Sequence, residues 1–161
     1  MTSATSNLSI DRVIALFDKE GWKYEKAPLG PALRTGFSGI GLEINMIEPN
    51  LNVLTTVAVD SVKAAQFNEV LEWVERYNIE KAYPTVTAVK DEQRGITALA
   101  VTYSLPGYWE RSDQQFSDEI KTGIQGVVVA AREFLEAFAP GVVDQLGLSL
   151  IHISEPTRRY A

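Results

Sequence analysis

The chain has one histidine, His152, and no cysteine. His152 sits in the run Leu148-Ser149-Leu150-Ile151-His152-Ile153-Ser154-Glu155-Pro156-Thr157-Arg158. That run reads as the in-frame translation of a transposon-type sequencing adapter, with Arg159, Tyr160 and Ala161 as index-tag codons. Processing scars are set aside before a fold is reasoned about. The expectation is that residues 148–161 are artefactual, that the native C-terminus after about Gly147 is not represented, and that His152 touches no functional site. Without His152, the side chains on which most nucleophilic and transition-metal chemistry depends are gone.

Carboxylates are the next candidates. Asp11, Asp18, Glu20, Glu43, Glu48, Asp60, Glu69, Glu72 and Glu75 are scattered along the chain. A pair of them could work as acid and base if one were desolvated. Glu69, Glu72 and Glu75, spaced by three, fit better as the solvated face of a helix. No His-Glu-x-x-His pattern or EF-hand loop occurs. Gly36, Gly39 and Gly41 have the wrong spacing for a phosphate loop, and no Gly-Lys-Ser/Thr follows, so a strand bulge is expected there. No catalytic, cofactor-binding or metal-binding residue is assigned, and no cofactor is expected.

The aromatics are denser than this length requires: Trp73, Tyr77, Tyr83, Tyr103, Tyr108 and Trp109. Core packing is the default for each, but Tyr and Trp are also enriched at interface hot spots. Tyr108 and Trp109 stand out because they follow Pro106-Gly107 rather than lying on a periodic face.

These residues need elements to position them. A first helix is predicted over residues 10–20, with Ser9 as N-cap, an apolar face of Ile10, Val13, Ile14 and Phe17, and Gly21 as its stop. Residues 22–25 can be extended and 27–31 form a turn. Three strands follow, with Leu33, Thr35 and Phe37, then Leu42, Ile44 and Met46, then Leu51, Val53, Val57 and Val59 on one face. A second helix spans about residues 64–77, with Asn78 as a left-handed cap. Strands at about 83–89 and 96–105 precede a long helix. Ser112 and Gln115 open that helix as a capping box, and Pro140 ends it. Gly123 and Gly126 within it read equally as close-packing sites or weak turns. The order α-β-β-β-α-β-β-α predicts an α+β fold, with a mainly antiparallel five-stranded sheet and helices packed on it.

Composition sets the remaining bounds. At 161 residues, one domain is expected, over residues 9–140, with a disordered N-terminus at 1–8 and a tail at 141–161. A net charge of −6 and no basic run disfavour nucleic-acid binding. The polar start carries no secretory signal and no run is long enough for a membrane span, so a cytoplasmic protein without membrane contact is expected.

Several motifs carry a family resemblance. A helix, then Gly21-Trp22-x-Tyr24, then Leu33-Arg34-Thr35-x-Phe37 and a hairpin, resembles the start of YbjN-like domains. Tyr77-Asn78 with Tyr83-Pro84 is similar to that family's aromatic-Asn-x5-Pro signature, and the helix ending in Phe134 to Phe138 also fits. The resemblance spans about residues 8–138. It implies a fold like the type III secretion chaperones, a role in sensory transduction regulation, no catalytic residues and no cofactor, and a homodimer that binds protein segments. The expected function is therefore a non-enzymatic protein-interaction module, chaperone-like or regulatory. Its expected contact residues are Trp73, Tyr77, Asn78, Tyr83, Tyr108 and Trp109. The alternative is a small-molecule-binding sensory domain, with an aromatic-lined pocket between sheet and helices.

Overall fold

Helix α1, Ile10–Glu20, starts and stops where local chemistry dictates. The Ser9 hydroxyl accepts from the Arg12 N–H at 3.2 Å, and Gly21 takes the left-handed conformation at φ 73° that a C′ glycine adopts without strain. Its buried face of Val13, Leu16 and Phe17 meets Trp22 and Phe37 edge-on, with ring centroids 5.1 to 6.1 Å apart. The computed structural model describes residues 5–146. Residues 148–161, including His152, lie outside the described residues, so the adapter reading is not addressed by it.

Eight strands follow the chain: β1 (Thr5–Ser6), β2 (Glu25–Lys26), β3 (Ala32–Phe37), β4 (Ile40–Ile47), β5 (Asn50–Val57), β6 (Thr85–Asp91), β7 (Ile96–Leu105) and β8 (Arg111–Ser112). Six make one sheet in the order β2-β3-β4-β5-β7-β6, every pair antiparallel. The five expected strands are its body, and the two-residue β2 adds a sixth at one edge. β1 and β8 form a separate two-stranded ribbon.

The register separates the two faces of the sheet. Leu33, Ile44, Val53 and Tyr103 align across β3, β4, β5 and β7, and the first three are fully buried. The neighbouring row of Arg34, Glu43, Leu54, Thr102 and Thr85 faces the other way. Helices cover only the first face. Helix α2, Phe67–Glu80, lies along β6, and helix α3, Asp113–Phe138, crosses β7 and β5. The second face is polar, with a cross-strand ladder. Asn45 donates to Glu43 at 3.0 Å, Asn52 to Asn45 at 3.1 Å, and Ser104 to Asn52 at 2.6 Å. This is the one-face-wet pattern usual for antiparallel sheets.

Two expectations need correction. The expected glycine bulge is absent: β3 and β4 pair without interruption from Ala32↔Asn45 to Phe37↔Ile40. Ser38 and Gly39, at φ 52° and 81°, instead make the two-residue turn whose twist matches a hairpin. Asn78 does not end α2. The helix runs on to Glu80, preceded by a 3-10 turn at Ala64–Gln66, because the Asn78 side chain is used elsewhere, as shown below. At the described N-terminal residues, β1 pairs with β8, Arg12 donates to the carbonyls of Ser6 and Arg111, and Leu8 is buried. Helix α3 ends at Phe138, just before Pro140 as expected, and Pro140 itself starts a short helix α4, Pro140–Leu146, in the N1 role proline favours, with Val142 and Val143 packed against the core.

Candidate functional site

The six expected contact residues fall in three places. Trp73 and Tyr77, one turn apart on α2, stack at 5.0 Å between centroids, and Trp73 meets Phe134 at 5.7 Å and Phe138 at 6.4 Å. Tyr77 is buried and Trp73 half-buried, so this cluster closes the core between α2 and α3. Burial, reinforced by the Glu133 carboxylate, pushes the Tyr77 hydroxyl up to about 12.

Asn78 and Pro84 act on an edge of the sheet. β6 is an outer strand, and its unpaired backbone would invite another strand. The Asn78 amide donates to the Val86 carbonyl at 2.9 Å, while the Val86 N–H donates to the Asn78 oxygen at 3.0 Å. A neighbouring strand would make the same two bonds. Two residues upstream, Pro84 has no N–H to offer. The Asn-x5-Pro spacing therefore blunts this edge while α2 lies along it.

Tyr83 is half exposed and meets Tyr103 edge-on at 5.6 Å. Both rings lie on the glycines of α3. A Cβ on Gly123 would come within 2.5 Å of the Tyr103 ring, and one on Gly126 within 3.1 Å of Tyr83. Close packing is thus the role of Gly123, whereas Gly126 meets a half-exposed ring that can give way. Burial raises the Tyr103 hydroxyl above its ordinary value, with Glu119 and Tyr83 adding to the effect and Arg111 opposing it.

Tyr108 and Trp109 are 79% and 52% exposed. Their loop lies flat on the β4–β5 turn. The Gly107 N–H donates to the Asn50 side chain at 3.1 Å, and a Cβ on Gly107 would sit 1.8 Å from the Pro49 carbonyl oxygen. The same end of the sheet holds Ile47, at 67% exposure, and Leu29, at 87%, which together line a cleft beside the 27–31 turn. Leu29, Ile47, Tyr108 and Trp109 thus place four large apolar side chains on two loops and the last residue of β4, at one end of the sheet. Sequence reasoning missed Leu29 and Ile47, although signals were present. Leu29 sits in a Pro-Gly turn as Tyr108 does, and Ile47 occupies the outward phase of a strand whose other outward residues are Glu43 and Asn45.

Beneath Trp109 lies Arg111, 1% exposed. Its Nε donates to Glu119 at 2.7 Å, its Nη1 reaches the Trp109 carbonyl at 3.4 Å, and the guanidinium carbon lies 4.6 Å from the Trp109 ring centroid. Its Nη2 has no hydrogen-bond partner among the described residues.

Open space occurs on the wet face of the sheet. A groove of about 690 Å³ is lined by Tyr24, Arg34, Gly41, Glu43, Leu54 and Thr56, among others. A smaller cleft of about 380 Å³ lies between the end of α2 and α3, with Tyr77 and Tyr83 in its wall. Among the described residues, no group of three or more His, Cys, Asp or Glu side chains could hold a metal ion, and no helix is long and apolar enough to cross a membrane.

No family model matches the chain, and no curated protein does. A solved structure does: YbjN from E. coli, provisionally assigned as a transcription regulator, superposes with a TM-score of 0.69 at 15% identity, over 86% of this chain and 96% of that one. The chain therefore has a YbjN-like α+β fold, with a mainly antiparallel sheet carrying its helices on one face.

Proposed function

We propose that this chain is a non-enzymatic, regulatory protein-interaction module that acts as a homodimer. The observation that carries this reading is the apolar end of the sheet, where Leu29 and Ile47 line one cleft and Tyr108 and Trp109 stand exposed on the loop that packs against the β4–β5 turn. Large apolar side chains gathered on a surface mark contact sites, and isolated ones do not. Tyr and Trp are the types that dominate interface energetics. The fold shared with YbjN supports a regulatory role, and the YbjN-like motifs support pairing of two copies. A cytoplasmic setting fits the absence of a described membrane-crossing helix, and the acidic net charge fits protein rather than nucleic-acid partners.

Sedimentation equilibrium tests the proposal. The unaltered chain is expected at twice its 17.8 kDa mass. The double variant Ile47→Ser/Tyr108→Ser should dissociate, since each hot-spot truncation costs roughly 1 to 2 kcal/mol, or about tenfold or more in affinity. A strict monomer, or a dimer indifferent to both substitutions, would remove the basis for this reading.

A second reading, a small-molecule sensory domain, is favoured by the α2–α3 cleft, where Tyr77 and Tyr83 converge with Thr122 and Gln125. It requires a ligand that perturbs these four residues together in an NMR titration. Shifts confined to the sheet end would count against it.

A further inference from the structure

Arg111 is held unusually firmly for a loop-proximal cation. It lies in β8, paired with Ser6 of β1, and its main-chain carbonyl accepts from Arg12 at 3.0 Å. Its guanidinium is buried, yet only Nε has a strong partner, the Glu119 carboxylate at 2.7 Å. The Nη1 contact at 3.4 Å is long, and Nη2 donates to nothing among the described residues. A buried donor without an acceptor is a standing free-energy cost that an incoming oxygen would recover. The group above it is the Trp109 indole, in face-on cation–π contact but itself half exposed and carried on the loop between β7 and β8. Such a side chain can rotate away without disturbing any helix or strand.

We propose that Arg111 is a carboxylate-recognition site roofed by Trp109, and that its ligand is an acidic group on a bound protein segment. This rests on the interaction-module reading and adds the chemistry of the partner. A guanidinium fork with open donors matches the two oxygens of a carboxylate. Phosphate fits less well. Glu119 stands beside the site, the chain carries a net charge of −6, and a dianion meets more repulsion from both than a monoanion does. A peptide fits better than a free small acid, because Tyr108, exposed beside Trp109 on the same loop, offers aromatic surface to a neighbouring apolar side chain. Binding replaces the indole over the cation with a charge-assisted hydrogen-bonded pair, and it leaves the Arg111–Glu119 contact in place.

The test is an NMR titration of the full chain with N-acetyl-leucine and with its neutral amide, following the Arg111 Nε–H and the Trp109 indole N–H. The acid should shift both resonances saturably, more weakly at higher salt, while the amide leaves the Arg111 signal unmoved. Trp109→Ala should bind the acid several-fold more tightly, because the roof no longer has to move, and Arg111→Lys should bind it about tenfold more weakly. Equal responses to acid and amide, no response to either at tens of millimolar, or tighter binding of inorganic phosphate than of the acid would each overturn the proposal. So would weaker binding of the acid by Trp109→Ala, a variant that keeps the test decisive should Arg111→Lys fail to fold. The mass measurement is independent of these outcomes. A dimer that does not distinguish acid from amide rejects the carboxylate site alone, and a monomer that does distinguish them rejects the contact-surface reading alone.

Discussion

Replacing Gly123 with Ala sets two effects of known size against each other. Within the 26-residue α3, Ala is favoured over Gly by about 1 kcal/mol. Gly123 is buried, however, and the new Cβ would come 2.5 Å from Tyr103 Cδ1, 3.0 Å from Cε1 and 3.1 Å from Cγ. The methyl would meet the body of the ring rather than a flexible tip. Tyr103 cannot simply turn aside, because β7 fixes its backbone and Tyr83 stands against it at 5.6 Å. Overpacking of this kind costs about 1 to 3 kcal/mol, so Gly123→Ala should destabilise by roughly 1 kcal/mol net. Gly126→Ala is the internal control. Its Cβ would lie 3.1 Å from the half-exposed Tyr83 ring, which has room to yield, so the helix term should prevail and the variant should gain up to about 1 kcal/mol. Urea unfolding followed by circular dichroism measures both. Adding Tyr103→Ala should turn Gly123→Ala from a loss into a gain relative to Tyr103→Ala alone. Equal stabilisation by both glycine replacements would refute the close-packing argument.

Three further outcomes follow from the same structure. Asn78→Ala removes both bonds to Val86 and should cost about 1 kcal/mol net of improved helix propensity, with faster amide exchange at Val86; unchanged exchange there would show that the clamp does not hold the edge. Tyr77 titrates near 10 when unfolded and about 12 when folded, so its contribution is intact below pH 10 and is lost as pH rises from 10 towards 12, at up to about 1.4 kcal/mol per pH unit. Tyr103, also raised, acts in the same direction, and Tyr77→Phe should flatten the alkaline limb of a urea-midpoint series against pH. Deleting residues 148–161 should shift the unfolding midpoint by no more than roughly 0.5 kcal/mol, and a loss of several would contradict the adapter reading.

Features governed by near neighbours were legible in the sequence. Ser9, Gly21 and the Ser112–Gln115 box end or begin helices through contacts within one turn, and they appear where capping chemistry places them. The α+β pattern and hairpin order were legible for the same reason. Asn78 was misread because its tolerance of the left-handed region looks the same in sequence as an amide poised to clamp a strand. Only the docking of β6 beside α2 distinguishes the two. Ser38-Gly39 is not distinguished as a hairpin turn in sequence, because Gly36 and Gly41 on either side are equally permissive of a bulge. Leu29 and Ile47 come to the same end of the sheet as Tyr108 and Trp109 only through strand pairing and the contact of Gly107 with Pro49. Arg111 was passed over because an arginine is ordinarily solvated, and its burial depends on Trp109, Glu119 and a ribbon formed with the N-terminus.

The most direct test of the contact surface is amide hydrogen exchange measured across a dilution series of the unaltered chain. Protection that grows with concentration at residues 27–31, 47–50 and 106–110, and not elsewhere, is the predicted result. Concentration-dependent protection confined to the wet face of β4 and β5, or none anywhere while the protein stays monomeric, would contradict the account.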